Sequence, residues 1–160
     1  MNRWITGASA ALLVTAVTLA ATQLPQLRLT PAEMNTLPAY DAGAGTSGVA
    51  GIRTTMVMGN PSQAGPYTIR LSVPANTRIE PHTHRDDRTA IVLSGTWYFG
   101  YGRVLDAAVE KALPAGSVYT EPGGVAHFAE TRDSAVLVYI SGSGPSDTKF
   151  VVQDAAPRQH

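Results

Sequence analysis

The chain has 160 residues, of which 44% are apolar and only 15% charged, with 15 glycines and 11 prolines. That length supports one domain with its own core, and that composition argues against disorder. Formal net charge is zero with no basic block, which argues against nucleic acid as a partner; the absence of cysteine excludes disulfides and a lipid-modified cysteine anchor.

Residues 1–22 read as a signal peptide, with an uncleaved N-terminal anchor as the alternative. Arg3 supplies the positive start, and residues 8–21 form an apolar run diluted by Ser9, Thr15 and Thr18. The run is short for a membrane span, which needs about 20 residues, and suits the apolar segment of a signal peptide. Small residues from Thr18 to Thr22 offer cleavage points. No Arg-Arg pair precedes the run, so export is expected in the unfolded state. The expected location is periplasmic or secreted, with no membrane contact after cleavage.

Residues 23–49 read as a lead-in, with Leu27, Leu29 and Leu37 able to lie along the edge of the domain and a glycine-rich loop over 40–48. A strand is expected over 52–58, then a turn at Gly59-Asn60-Pro61-Ser62. Residues 67–73 alternate Tyr67, Ile69, Leu71 and Val73 against Thr68, Arg70 and Ser72, the pattern of a half-buried strand. Further strands are expected over 78–84, 90–93 and 96–101, the last two broken at Ser94-Gly95. Residues 103–112 are the one mildly helical piece, a single turn or a loop, and 113–116 read as a turn. Short strands come next over 117–120, 125–131 and 135–141, with an edge strand over 149–152 and a frayed tail at 153–160. Eight or more short strands separated by turn signals read as an all-β sandwich or barrel over 50–152.

The chemistry-bearing residues cluster. His82 and His84 stand at i and i+2, which on a strand places both on one face. His127 lies in a second stretch punctuated by Gly116, Pro122, Gly123 and Gly124. Three imidazoles converging from two strands suit a divalent transition metal.

These two stretches resemble the two motifs of the cupins. His82-Thr83-His84 and Gly95 match the first motif; Gly116, Pro122, Gly124 and His127 match the second. The resemblance implies a double-stranded β-helix, or jelly-roll barrel, with a metal in its lumen. Three positions depart from the pattern. Asn76 stands for the opening glycine, a mild change because Asn tolerates a left-handed turn. Thr131 stands for the closing Asn. Arg88 occupies the place of the glutamate ligand, and a guanidinium cannot ligate a metal. Either His82, His84 and His127 hold the ion alone, or a nearby carboxylate joins them: Asp87 first, with Glu121 and Glu130 behind it. Arg88 itself is expected to pair with Asp86 or Asp87 at the surface, or to reach the pocket and clamp an anionic group of a substrate.

The resemblance implies a divalent metal ion as cofactor. Zn, Cu, Fe and Mn stay open, with the order of intrinsic affinity favouring zinc and copper over manganese. The expected function is metal-dependent catalysis on a small oxygen-rich substrate, dioxygenase-like, with decarboxylation or isomerisation as related chemistries. The alternatives are a non-catalytic module that binds a small ligand or metal for sensing, and a barrel serving only oligomerisation. Tyr98, Tyr119 and Glu130 are the candidate catalytic side chains, and a homodimer is the expected assembly.

Overall fold

The computed structural model describes residues 24–151. The expected signal segment and the terminal tail lie outside the described residues. Two antiparallel sheets face each other. One orders β1 (Ala39–Tyr40), β2 (Arg53–Met58), β3 (Gly65–Val73), β10 (Val136–Gly144), β5 (Arg88–Ser94) and β8 (Val118–Glu121). The other orders β11 (Lys149–Phe150), β4 (Arg78–Thr83), β9 (His127–Glu130), β6 (Thr96–Tyr101) and β7 (Lys111–Pro114). This is a jelly-roll barrel, and α1 (Pro31–Met34) is the one helix among the described residues. No helix among them is long and apolar enough to cross a membrane.

The core follows from period-2 alternation. Tyr67, Ile69, Leu71 and Val73 of β3 turn inward, as do Val136, Val138 and Ile140 of β10, which pairs with β3 along its whole length. From β5, Ala90 and Val92 join them. From the facing sheet come Ile79, Trp97, Phe99 and Ala129. Two turns carry the motif geometry. Gly95 has φ +76°, and a Cβ there would stand 2.4 Å from the Ala135 carbonyl oxygen. Asn76, in place of the opening glycine, takes φ +54°, as the left-handed tolerance of Asn leads one to expect.

Three sequence expectations change. Residues 103–110 are turn and loop, but residues 111–112, expected in that same piece, and 113–114, expected as a turn, are strand: β7 pairs with β6 from Thr96↔Pro114 to Phe99↔Lys111. β7 is an edge strand, so Pro114 withholds no bond that a second neighbour needs. The lead-in is also more than an edge cover. β1 pairs with β2, Arg70 reaches Asn35 and the Met34 carbonyl, and Gly45 and Thr46 are buried against the barrel. Of the three leucines, Leu27 is exposed and Leu29 and Leu37 are partly covered. The edge strand expected over 149–152 is described as Lys149–Phe150.

Candidate metal centre

β4 does not run as a simple alternating strand. Its pairing with β9 slips between Ile79 and His82, a β-bulge that contains Pro81. A bulge shifts the side-chain parity by one, so Ile79, His82 and His84 all face the lumen although 79 and 82 differ by an odd number. His127 sits directly across from His82 in the β4–β9 register. The three rings have centroids 4.4 to 5.1 Å apart, and one ring nitrogen from each lies within 4.8 Å of the others. All three are buried, with His127 only 1% exposed.

The hydrogen bonds fix the tautomers. His82 Nδ1 lies 2.8 Å from the Glu80 carbonyl, His84 Nδ1 2.6 Å from the Asp147 carbonyl, and His127 Nδ1 3.0 Å from the Val125 carbonyl. A carbonyl only accepts, so each Nδ1 carries the hydrogen and each Nε2 presents its lone pair. Burial lowers the pKa of all three. His82 falls to about 4, with His127 adding repulsion; His84 falls to about 2, with the Arg88 guanidinium adding to burial; His127 falls to about 4. The rings are therefore neutral at pH 7 and free to donate lone pairs. His127 Nε2 has no hydrogen-bond partner, an orphaned buried acceptor aimed into the lumen. This set fits a divalent metal: three oriented imidazoles, each braced at Nδ1.

The other sequence candidates separate by parity. On β8, Tyr119 and Glu121 face inward and Val118 and Thr120 outward. On β6, Trp97 and Phe99 face inward, which turns Tyr98 out, under the Arg132 guanidinium 3.8 Å from its ring. Glu130 also leaves the lumen, pairing with Arg78 and Arg132 at 3.4 and 3.0 Å. Of the three candidate catalytic side chains only Tyr119 lines the site. Its phenol is pushed well above its usual pKa by burial, then by the Glu121 charge, so it stays protonated and acts as a donor.

Asp87, the first choice as a substitute ligand, points away: its Oδ1 accepts the Gly123 N–H at 2.7 Å and caps that turn. The carboxylate at the site is Glu121. Its Oε2 lies 3.6 Å from His84 Nε2 and 3.8 Å from His127 Nε2; with neutral rings these are contacts, not ion pairs. Burial raises its pKa, partly offset by Arg88. The sequence signal for Glu121 was available: a Tyr119 facing the lumen requires residue 121 to face it too.

Arg88 is not a surface residue. It shares a face with Ala90 and Val92 and is 3% exposed. Its Nε stands 3.5 Å from Asp86 Oδ1, Nη1 reaches Glu121 at 3.4 Å and the Gly45 carbonyl at 3.5 Å, and Nη2 donates to Ser146 Oγ. Ser146 in turn donates to Asp86 Oδ1 at 2.7 Å, and Tyr67 to Asp86 Oδ2 at 2.6 Å. Both terminal nitrogens are thus engaged by this chain. The Asp86 pairing is as expected but lies inside the barrel rather than at the surface; Arg88 does line the chamber, with its guanidinium engaged by this chain's own groups. Thr131 is no ligand: its hydroxyl bonds the Pro74 carbonyl and the Thr77 N–H, tying down the turn before β4.

The chamber around the trio measures about 20 Å³ and is lined also by Arg88, Glu121 and Tyr119. That is room for an ion and about one water. Beside it runs a groove of about 520 Å³ lined by Tyr101, Val109, Leu113 and Val118; Phe99 and Tyr119 line both spaces.

No protein-family model matches the sequence. Solved structures with this fold include the polyketide cyclase RemF from Streptomyces resistomycificus, at 14% identity, TM-score 0.63, over 81% of this chain and 88% of that one. A cupin 2 conserved barrel domain protein from Rhodopseudomonas palustris aligns at 10% identity, TM-score 0.57, over 81% and 86%. An RmlC-like cupin from Shewanella frigidimarina aligns at 17% identity, TM-score 0.55, over 76% and 93%. Among curated proteins, germin-like protein 5-1 of Oryza sativa subsp. japonica is 33% identical over 95 residues, 57% of this chain. The match spans 41% of that relative's length. The fold is thereby a cupin barrel, and its lumen holds three clustered, buried histidines able to bind a metal ion.

Proposed function

We propose that this protein is an exported cupin that binds one divalent metal through His82, His84 and His127 and acts as a metal-dependent enzyme on a small oxygen-rich substrate. The observation that carries the reading is the convergence of three Nε2 lone pairs, each ring held at Nδ1 by a carbonyl. An ion held by three imidazoles keeps positions open for oxygen donors, the arrangement used in dioxygenase, decarboxylase and isomerase chemistry. The protein's part is to fix the rings, keep them neutral and exclude bulk water from the chamber. Tyr119 supplies a protonated phenol at the boundary between chamber and groove. The groove supports catalysis, since it falls within the usual size of small-molecule sites and shares Phe99 and Tyr119 with the chamber.

A second reading rests on the chamber's size. At about 20 Å³ it accommodates an ion and little else, which favours a metal-binding or sensing module. One experiment separates them. Protein is purified from the periplasmic fraction of its own host beside His82→Ala, analysed for metals, and incubated with vicinal diols, α-hydroxy acids and diketones while oxygen uptake and products are followed. Turnover absent from His82→Ala supports the enzyme. Stoichiometric metal without turnover supports the binding module. Absence of metal from protein that also fails to take it up in vitro contradicts both, and absence of the protein from that fraction contradicts export.

A further inference from the structure

Arg88 occupies the register where a cupin motif has its carboxylate, and the residue paired with Arg88 across β5 and β8 is Glu121. We propose that Glu121 is the fourth protein ligand of the metal centre, delivered from the neighbouring strand, and that Arg88 is the positioning residue that holds its carboxylate toward the histidines. This rests on the metal-binding reading above.

Three observations carry it. The first is distance. Donor atoms about 2.1 Å from one ion stand roughly 3 to 3.4 Å apart at adjacent positions. Glu121 Oε2 is already 3.6 Å from His84 Nε2 and 3.8 Å from His127 Nε2, so those two gaps close with a shift of a few tenths of an ångström; the histidine nitrogens, within 4.8 Å of one another, draw in further as the ion binds. The second is bonding sense. His127 Nε2 presents a lone pair and has no partner, and a carboxylate oxygen is also an acceptor. Two buried acceptors facing each other at 3.8 Å gain nothing from one another; a cation between them satisfies both. The third is charge. Asp86 and Glu121 are both buried and share a single guanidinium. A second cation beside Glu121 completes the balance that one arginine leaves short.

Arg88 is suited to hold the carboxylate rather than replace the ion. Its Nη2 is tied to Ser146, its Nε lies beside Asp86, and Nη1 alone reaches Glu121. The site then keeps three nitrogens and one oxygen although position 88 is arginine. The hard oxygen donor that favours manganese and iron is present after all, so the expectation of zinc or copper over manganese weakens.

The test measures zinc affinity by competition with a chromophoric chelator, and the electron paramagnetic resonance spectrum of the copper(II)-loaded protein, for wild type and Glu121→Gln. Glutamine keeps the volume and removes the charge. Loss of an outer partner costs about 10–100-fold in metal affinity; loss of a ligand is expected to exceed about 100-fold and to shift the copper spectrum. Because Glu121→Gln alone leaves Arg88 with one carboxylate fewer, Arg88→Gln/Glu121→Gln is measured beside it and is expected to lose as much. Arg88→Gln alone, retaining the ligand, stays within about the 10–100-fold range. A Glu121→Gln loss within that range, or an unchanged copper spectrum, overturns the assignment while leaving the three-histidine site standing. A wild type that binds no metal overturns both.

Discussion

Arg88 holds its guanidinium 3.5 Å from the Asp86 carboxylate with both side chains closed to water, at 1% and 4% exposure. Two residues apart on the chain, they meet inside the barrel. Desolvated charges of this kind are costly to separate by removing one partner, because the other stays buried and uncompensated. Arg88→Met is therefore expected to destabilise the fold by about 3–5 kcal/mol, read as a lowered urea midpoint at unchanged slope. A loss below about 1 kcal/mol would place this pair with ordinary surface ion pairs instead.

Gly142 makes room for that cluster. It pairs with Tyr67 on one side and Arg88 on the other, and a Cβ there would stand 2.7 Å from both Asp86 Oδ2 and the Tyr67 hydroxyl. Gly142→Ala is expected to cost about 1–3 kcal/mol by overpacking. Tyr67→Phe, which deletes only the 2.6 Å bond to Asp86, should cost about 1–3 kcal/mol for the acceptor left behind. A neutral Gly142→Ala would mean that the space around Asp86 takes a methyl group without strain.

Acid should weaken the metal-free protein before it reaches the carboxylate range. His82 and His127 titrate near 4 and His84 near 2 in the folded state, below the 6.5 of an unfolded histidine. Between those values the unfolded chain binds more protons, so stability falls as pH drops from about 6.5. Glu121, raised by burial, has the opposite sign, but it is one group against three. We expect the melting temperature of chelator-treated protein to drop by more than about 5 °C between about pH 7 and pH 4.5, with a flatter profile for His82→Gln/His127→Gln. A wild-type profile as flat as the variant's would mean that the rings are solvated.

Saturating zinc should raise the stability of the wild type at neutral pH. At a free concentration about 100 times the dissociation constant the gain is about 2.7 kcal/mol. His82→Ala should show no such gain in the same thermal-shift titration. An equal gain in the variant would locate the binding elsewhere.

Much of the barrel is legible from the chain. The alternation in β3 and β10 names their inward residues, the spacing of Gly95, Gly116, Pro122 and Gly124 marks turns, and the His-x-His with His127 names the trio. The features that are not legible depend on contacts distant in sequence or on broken periodicity. The bulge at Ile79–His82 leaves no parity signal of its own. The lead-in's contact through Gly45 with Arg88 spans 43 positions. Glu121 was a candidate ligand but stood behind Asp87, although Tyr119 shares its face; for Arg88, charge favoured a surface pair where the strand register, shared with Ala90, places a core.

Three imidazoles of one barrel are to hold one ion. X-ray absorption at the metal edge of protein loaded with one equivalent of zinc measures this directly. The expected spectrum has three imidazole nitrogens at about 2.0–2.1 Å, with the multiple-scattering pattern of histidine rings, falling to two in His127→Ala. A shell of oxygens alone, or a wild-type spectrum unchanged by His127→Ala, would contradict it.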